Sequence, residues 1–301
     1  MEPGTHDGAV AAGPSPSRSQ TSQQPTESPQ GARTAQTTRT SQTARTSQTS
    51  LRSHTSLSSE TSPPPKPQYS IIVPTYNERE NVAILVWMLH TYLTNVATFE
   101  VIFVDDASPD GTADVIRRLQ AAYSAAAVRL VTRPGKLGLG SAYAAGLAAS
   151  SAPFIILMDA DLSHHPRHLP AFIAAQRAAD ADVVSGTRYH LGGGVAGWNL
   201  ARKLTSRGAN LLASFLLGAS TSDLTGAFRL YRREALEALL TRTRSVGYAF
   251  QMEVIVRAQY DRLRIAEVPI VFVDRLYGES KLGVREYVQF VRGLLGLLLG
   301  L

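Results

Sequence analysis

From Tyr69 onward, short apolar runs alternate with segments of helical periodicity, and that alternation leaves few architectures open to the chain. Tyr69 to Pro74, Phe99 to Val104, Val128 to Thr132, Phe154 to Met158 and Asp182 to Ser185 read as five short buried strands. Between the first two, Val82, Leu85, Val86, Leu89 and Leu93 keep helical spacing. They follow Asn77 and Glu80, a pair that resembles an N-terminal capping signal for a helix from about Glu78. After the second run, Val115, Ile116 and Leu119 share one helical face. Strand and helix in this order predict right-handed βαβ units and an α/β fold, a mostly parallel sheet flanked by helices.

The stretch ahead of the alternation is different in kind. Residues 1–67 are dominated by Ser, Thr, Gln, Pro and Arg, with a near-repeat beginning at Arg33, Arg39 and Arg45. Such a segment buries too little apolar surface to offset its ordering entropy and is expected to be a disordered tail. It has no apolar core of a secretory signal. Residues 68–301 are then expected to form one catalytic domain with a single substantial core. Cysteine is absent, which excludes disulfides and thiolate zinc sites and agrees with a chain kept on the cytosolic side.

Formal net charge is +6, and the basic residues of the globular part fall mainly after Arg188. That asymmetry suits a phosphate-rich ligand or an anionic membrane surface; no nucleic-acid partner is expected. The longest apolar stretch, Leu294 to Leu301, falls well short of the roughly 20 apolar residues of a spanning helix. Its glycine-punctuated, nearly all-apolar end suits contact with lipid or a membrane partner better than contact with solvent. Trp198 to Leu217 mixes Arg202, Lys203 and Arg207 with Leu200, Leu204, Leu211, Leu212, Phe215 and Leu216. That pattern is compatible with a helix lying in a membrane interface and equally with a core helix that has one solvated face.

Asp159-Ala160-Asp161 directly follows the run ending at Met158, so two carboxylates arrive at a strand's C-terminal end, where open α/β sheets bind ligands. Hard oxygen ligands there can hold Mg²⁺ or Mn²⁺ against substrate phosphates; an ordinary polar strand end is the competing reading. The loops Pro74 to Glu78, Val104 to Asp106 and Ser185 to Arg188 leave equivalent ends and would line the same crevice. There Asp106 can accept from the N–H groups of a base, Tyr76 can pack beside a nucleoside and Arg188 offers a fork for phosphate. Gly135 to Ser141 lacks the third glycine of a dinucleotide fingerprint, because Tyr143 stands there, and it is not a P-loop; it reads as a turn into a helix.

The stretches Pro74 to Asn81, Val104 to Thr112, Lys136 to Tyr143, Met158 to Pro166, Ser185 to Tyr189, Ser222 to Arg232 and Val273 to Leu282 resemble glycosyltransferase family 2 and, within it, the dolichyl-phosphate mannosyltransferase catalytic subunits. The resemblance covers essentially everything after Gln68. It implies a GT-A (Rossmann-like) fold with membrane-associated C-terminal helices. It implies that Pro74, Tyr76, Glu78, Val104 and Asp106 hold the guanosine of GDP-mannose, and that Asp159, Ala160 and Asp161 meet the pyrophosphate and a Mg²⁺ or Mn²⁺ ion. Ser163 stands where some relatives carry a metal-binding Gln, and a neutral hydroxyl is the weaker ligand. Arg188, Arg202, Arg275 and Lys281 would surround the donor and acceptor phosphates, with Asp161 and Arg188 in the catalytic roles.

The implied activity is inverting transfer of mannose from GDP-mannose to dolichyl phosphate, supplying N-glycan, O-mannosyl and GPI-anchor synthesis. Its setting would be the cytosolic face of the endoplasmic reticulum membrane, with the chain peripheral and attached through small membrane-spanning partner subunits. The alternative is glucose from UDP-glucose onto the same lipid phosphate. No Q-x-x-R-W element is present to accompany a general base. A phosphomonoester acceptor, with a second pKa of about 6, needs none at neutral pH.

Overall fold

The computed structural model describes residues 65–245, 248–274 and 284–300. The expected tail, apart from 65–67, and the candidates Arg275 and Lys281 lie outside the described residues.

All five strands expected from the sequence are present. β1 (Tyr69–Thr75), α1 (Asn81–Leu93), β2 (Phe99–Asp105), α2 (Thr112–Tyr123) and β3 (Val128–Thr132) form two successive βαβ units, with β1 parallel to β2 and β2 to β3. α3 (Leu139–Ala149) then carries the chain back past β1 to β4 (Phe154–Leu157), which pairs with β1 from its other side. Strand direction of travel therefore reverses between β1 and β4, and a crevice opens beyond the C-terminal ends of strands at such a switch point.

A short 3₁₀ turn at Pro166–His168 and α4 (Leu169–Ala179) lead into β5 (Val183–Thr187). β6 (Gly194–Ala196), α5 (Leu200–Leu216), β7 (Arg229–Arg232), α6 (Arg233–Arg242), α7 (Tyr248–Tyr260), β8 (Ile265–Pro269), β9 (Val271–Val273) and α8 (Val284–Gly300) complete the described elements. The main sheet has the order β3-β2-β1-β4-β7-β5-β8, and a separate pair joins β6 to β9.

β7 alone runs antiparallel in the main sheet. Its sequence, Arg-Leu-Tyr-Arg, reads as polar, yet Arg229 is fully buried. The Arg229 guanidinium donates to the carbonyls of Gln251 (2.7 Å) and Leu224 (3.1 Å), so the charge is carried inside by hydrogen bonds instead of water.

The period-2 alternation of the strands divides the core between the two sheet faces. Ile71 and Val73 join Val82, Leu85 and Leu89 of α1 on one face, while Ile72 joins Ala142, Tyr143 and Leu147 of α3 on the other. α3 sits so close to the sheet that a Cβ on Gly146 would overlap Ile72 and meet Val104 Cγ2 at 3.2 Å.

One local expectation needs correction. Asn77 and Glu80 do not cap α1: the helix begins at Asn81 with no side-chain cap, and Asn77 turns the chain at φ 61°. The β1–α1 loop is instead docked on the β2–α2 loop and the start of α2. Asn77 N–H donates to Ser108 Oγ (3.0 Å), Glu78 N–H to Thr112 Oγ1 (2.9 Å) and Arg79 N–H to an Asp110 carboxylate oxygen (3.1 Å).

α5 is capped by Asn199, whose side-chain oxygen accepts from Arg202 N–H at 2.8 Å. It buries Asn210 and Ala213 but leaves Leu200 71 % and Phe215 83 % exposed, with Leu204, Leu211 and Leu212 also exposed. Among the described residues, no helix is long and apolar enough to cross a membrane.

Candidate active site

The end of β2 shows how two adjacent carboxylates divide their work. Asp105 is buried and accepts from Thr75 Oγ1 (3.0 Å) and from the Ser108 hydroxyl (2.6 Å), tying the β1 and β2 loops together. Asp106, the predicted base contact, receives both Nε (2.6 Å) and Nη2 (2.7 Å) of Arg133. Arg133 stands at the end of β3, is itself buried, and also donates to Ser141 Oγ (2.7 Å) at the start of α3. No sequence motif singles out Arg133, although it occupies the same kind of strand end as the predicted site residues.

Beside this pair, Lys136 Nζ lies 3.4 Å from the centroid of the Tyr76 ring. Glu78 receives Asn81 Nδ2 at 2.7 Å. Pro74 stands in register with Val104, whose side chain is fully buried against α3.

At the end of β4 the chain makes a tight acidic loop. Asp159 has its side chain 40 % exposed, whereas Ala160, Asp161, Ser163 and His164 are buried. Leu162 turns the chain back at φ 65°, and Ser163 N–H donates to Asp161 Oδ1 at 3.1 Å. The Ser163 hydroxyl is buried with no hydrogen-bond partner.

An orphaned oxygen two residues from a buried carboxylate suits a hard cation, so Asp159, Asp161 and Ser163 fit Mg²⁺ or Mn²⁺ by donor type. Among the described residues no group of three His, Asp or Glu forms a fuller cage.

Across the crevice, β5 delivers Arg188. Its Nε and Nη2 donate to the two oxygens of Asp223 at 2.7 and 2.8 Å, and Nη2 also donates to Thr225 Oγ1 at 2.6 Å. Burial pushes the Asp223 carboxyl up, but the Arg188 charge and its hydrogen bonds outweigh it and hold the carboxyl below the usual range. Burial works against the Arg188 charge as well; the Asp223 carboxylate outweighs it, with smaller help from Tyr189 and Asp159, and holds the guanidinium above its ordinary range.

Beyond Arg188 lies a pocket of about 500 Å³, walled by Tyr189, Gly192 to Gly194, and Lys203 and Arg207 of α5. Tyr189 and Ser206 of α5 share a hydrogen bond of 2.7 Å. α5 is tethered to the Asp223 loop through Asn210, which donates to Ser222 O (2.7 Å) and accepts from Leu224 N–H (2.9 Å). Arg202 lies against the Trp198 ring (4.0 Å) with Asp274 3.5 Å away. Of the predicted residues, the structure thus gathers the β1, β2, β4 and β5 loops at one sheet edge, with Arg202 on the adjoining helix.

A sequence profile described as Glycosyl transferase family 2 matches residues 70–240. The chain belongs to glycosyltransferase family 2. Polyprenol monophosphomannose synthase of Mycolicibacterium smegmatis is 39 % identical over 216 residues, 70 % of this chain and 80 % of that protein. Undecaprenyl-phosphate mannosyltransferase of Micrococcus luteus is 39 % identical over 215 residues, 70 % of this chain and 86 % of that protein. Similar in fold is glucosyl-3-phosphoglycerate synthase of Mycobacterium tuberculosis, solved with Mn²⁺, UDP and glucosyl-3-phosphoglycerate. That structure has a TM-score of 0.56 at 20 % identity, covering 77 % of this chain and 79 % of that one. The fold of this glycosyltransferase is therefore GT-A: a mostly parallel sheet flanked by helices.

Proposed function

We propose that this family 2 enzyme transfers mannose from GDP-mannose to the phosphate of a polyprenyl lipid at a membrane surface, with inversion at the sugar carbon. The observation that carries the reading is the basic pocket of Arg188, Lys203 and Arg207, built partly from a helix whose other residues expose a row of leucines and a phenylalanine. A phosphate joined to a long apolar chain has that chemistry. The two mannosyltransferases similar to this chain bear names that specify polyprenyl lipids, which supports the same acceptor class here. The dolichyl member of that class, at the cytosolic face of the endoplasmic reticulum and with small membrane-spanning partners, is the form that the sequence resemblance implies.

In this reading the acceptor phosphate oxygen attacks the anomeric carbon as the bond to the diphosphate breaks, and the electron pair leaves with GDP. When bound, a divalent ion held by Asp159, Asp161 and Ser163 neutralises charge developing on that diphosphate. Arg188, fixed by Asp223, presents an oriented cation between the acidic loop and the basic pocket.

Asp223 itself is unsuited to be a base. Both oxygens accept from Arg188, and Oδ1 also accepts from Gly226 N–H at 3.0 Å. The nucleophile needs no base, since a phosphomonoester with a second pKa of about 6 is mostly dianionic at neutral pH.

The deciding assay follows radiolabelled sugar from GDP-mannose or UDP-glucose to short-chain dolichyl and undecaprenyl phosphates, with and without EDTA. Metal-dependent transfer from GDP-mannose to at least one lipid is expected. Transfer from UDP-glucose alone would overturn the donor, and transfer to neither lipid would overturn the acceptor.

A further inference from the structure

His164 lies beside the acidic loop, yet no step of the proposed reaction uses it. Its ring is almost fully buried, stacked on Phe228 (5.0 Å between centroids, 14° between planes) and meeting the edge of Phe272 at 5.6 Å. Between these two rings the imidazole has little freedom to turn. Its Nδ1 accepts the backbone N–H of Asp159 at 3.0 Å.

That bond answers a need created by the sheet. β4 pairs with β1 only as far as Leu157, and the last bond in this direction is Met158 N–H to Ile72 O. Asp159 follows where the chain has left both neighbouring ladders, since pairing with β7 also ends at Leu157, opposite Arg229. A buried N–H without a partner is costly, and His164 supplies the partner. Nδ1 lies 3.7 Å from Asp159 Oδ2, outside hydrogen-bond range, so the ring holds the backbone and not the carboxylate. The far side of the loop is fixed too, because Val273 N–H donates to Ser163 O at 3.3 Å.

We propose that His164 is a positioning residue for the metal-holding loop, acting through the Asp159 amide to set where the Asp159 carboxylate stands relative to Asp161. The inference rests on the reading of Asp159 and Asp161 as ligands of a divalent ion.

Three variants separate the acceptor from the packing. His164→Phe keeps a ring between Phe228 and Phe272 and cannot accept, His164→Leu is a second acceptor-free variant in case the first fails to fold, and His164→Asn puts an oxygen where Nδ1 was. Mn²⁺ is titrated into the full-length protein with GDP at fixed concentration, and free ion is counted from its electron paramagnetic resonance signal against a protein-free control. Melting temperatures come from circular dichroism.

His164→Phe or His164→Leu should weaken Mn²⁺ binding by about tenfold to a hundredfold, while His164→Asn stays within about threefold of wild type. The Mn²⁺ concentration for half-maximal transfer should rise in parallel, with kcat at saturating Mn²⁺ changing less. Wild-type Mn²⁺ affinity in a folded acceptor-free variant would overturn the inference alone, as would a His164→Asn protein weakened as much as His164→Phe. Wild-type protein that takes up no Mn²⁺ beyond the GDP control would bring down the metal reading itself and this inference with it.

Discussion

Asp223 and Arg188 pair with both side chains buried, so each is the other's charged partner in place of water, with Thr225 and Gly226 adding hydrogen bonds. Removing one charge of such a pair strands the other. Asp223→Asn should lower unfolding free energy by about 3–5 kcal/mol in urea titrations. The sign with pH follows from the depressed carboxyl: its stabilisation is complete above the ordinary value of about 3.9 and is lost as pH falls through the lower folded value. The gap between wild type and Asp223→Asn should therefore be flat near neutrality and narrow only in strong acid. A gap that closed between about pH 5 and 7 would mean that Asp223 is protonated near neutrality, contrary to the Arg188 pairing. Asp161→Asn makes the opposite demand. The amide keeps the shape, and its oxygen can still accept from Ser163 N–H, but a formal charge leaves the ion's shell. Transfer should fall by at least about a hundredfold, equivalent to about 2.7 kcal/mol of transition-state stabilisation, with the melting temperature unchanged. Near-normal turnover at saturating metal would remove Asp161 from the ligand set.

Among the elements, α5 joins the pocket to the apolar surface. Lys203 and Arg207 line the pocket while Leu204 and Phe215 face outward, so the helix can bind phosphate along one side and lipid along another. Replacing Leu204 and Phe215 together by Glu removes two side chains worth about 1.5–3 kcal/mol each on full burial. Binding to vesicles rich in anionic lipid, measured by co-sedimentation, should drop at least about tenfold. Transfer to a detergent-solubilised short-chain acceptor should persist. Unchanged vesicle binding would assign α5 to some contact other than lipid. The strands at the other end of this argument were legible because each is a local signal: Val128–Thr132 matches residue for residue, and the other four expected strands differ only at their ends. β7 was illegible because its buried arginine imitates a surface strand, and only Gln251 and Leu224, supplied by the fold, make it tolerable inside. Arg133 escaped notice for a related reason, since its partner Asp106 lies 27 positions earlier and nothing in the intervening residues announces the pairing. The acidic loop was legible from Asp159 and Asp161 alone, but the role of His164 depends on Phe228 and Phe272, which only the folded chain brings beside it.

At the scale of the whole molecule, among the described residues, each carboxylate placed at the crevice is already engaged. Asp105 is tied to Thr75 and Ser108, Asp106 to Arg133, Asp223 to Arg188, Glu78 to Asn81 and Asp274 to Arg202, while Asp159 and Asp161 fit a metal. A site arranged in this way works on a nucleophile that arrives already ionised. The rate should therefore fall in acid as the acceptor phosphate takes up its second proton near its own pKa of about 6, not at the pKa of any protein group. A lipid phosphonate whose second pKa is displaced from that of the phosphate should shift the acid limb of kcat/KM by the same amount. The shift should be as large in Asp223→Asn as in wild type, even though the mutant's rate is lower, because Asp223 positions Arg188 and transfers no proton. An acid limb that stays fixed when the acceptor is changed, and vanishes when Asp223 is replaced, would assign the proton transfer to the protein.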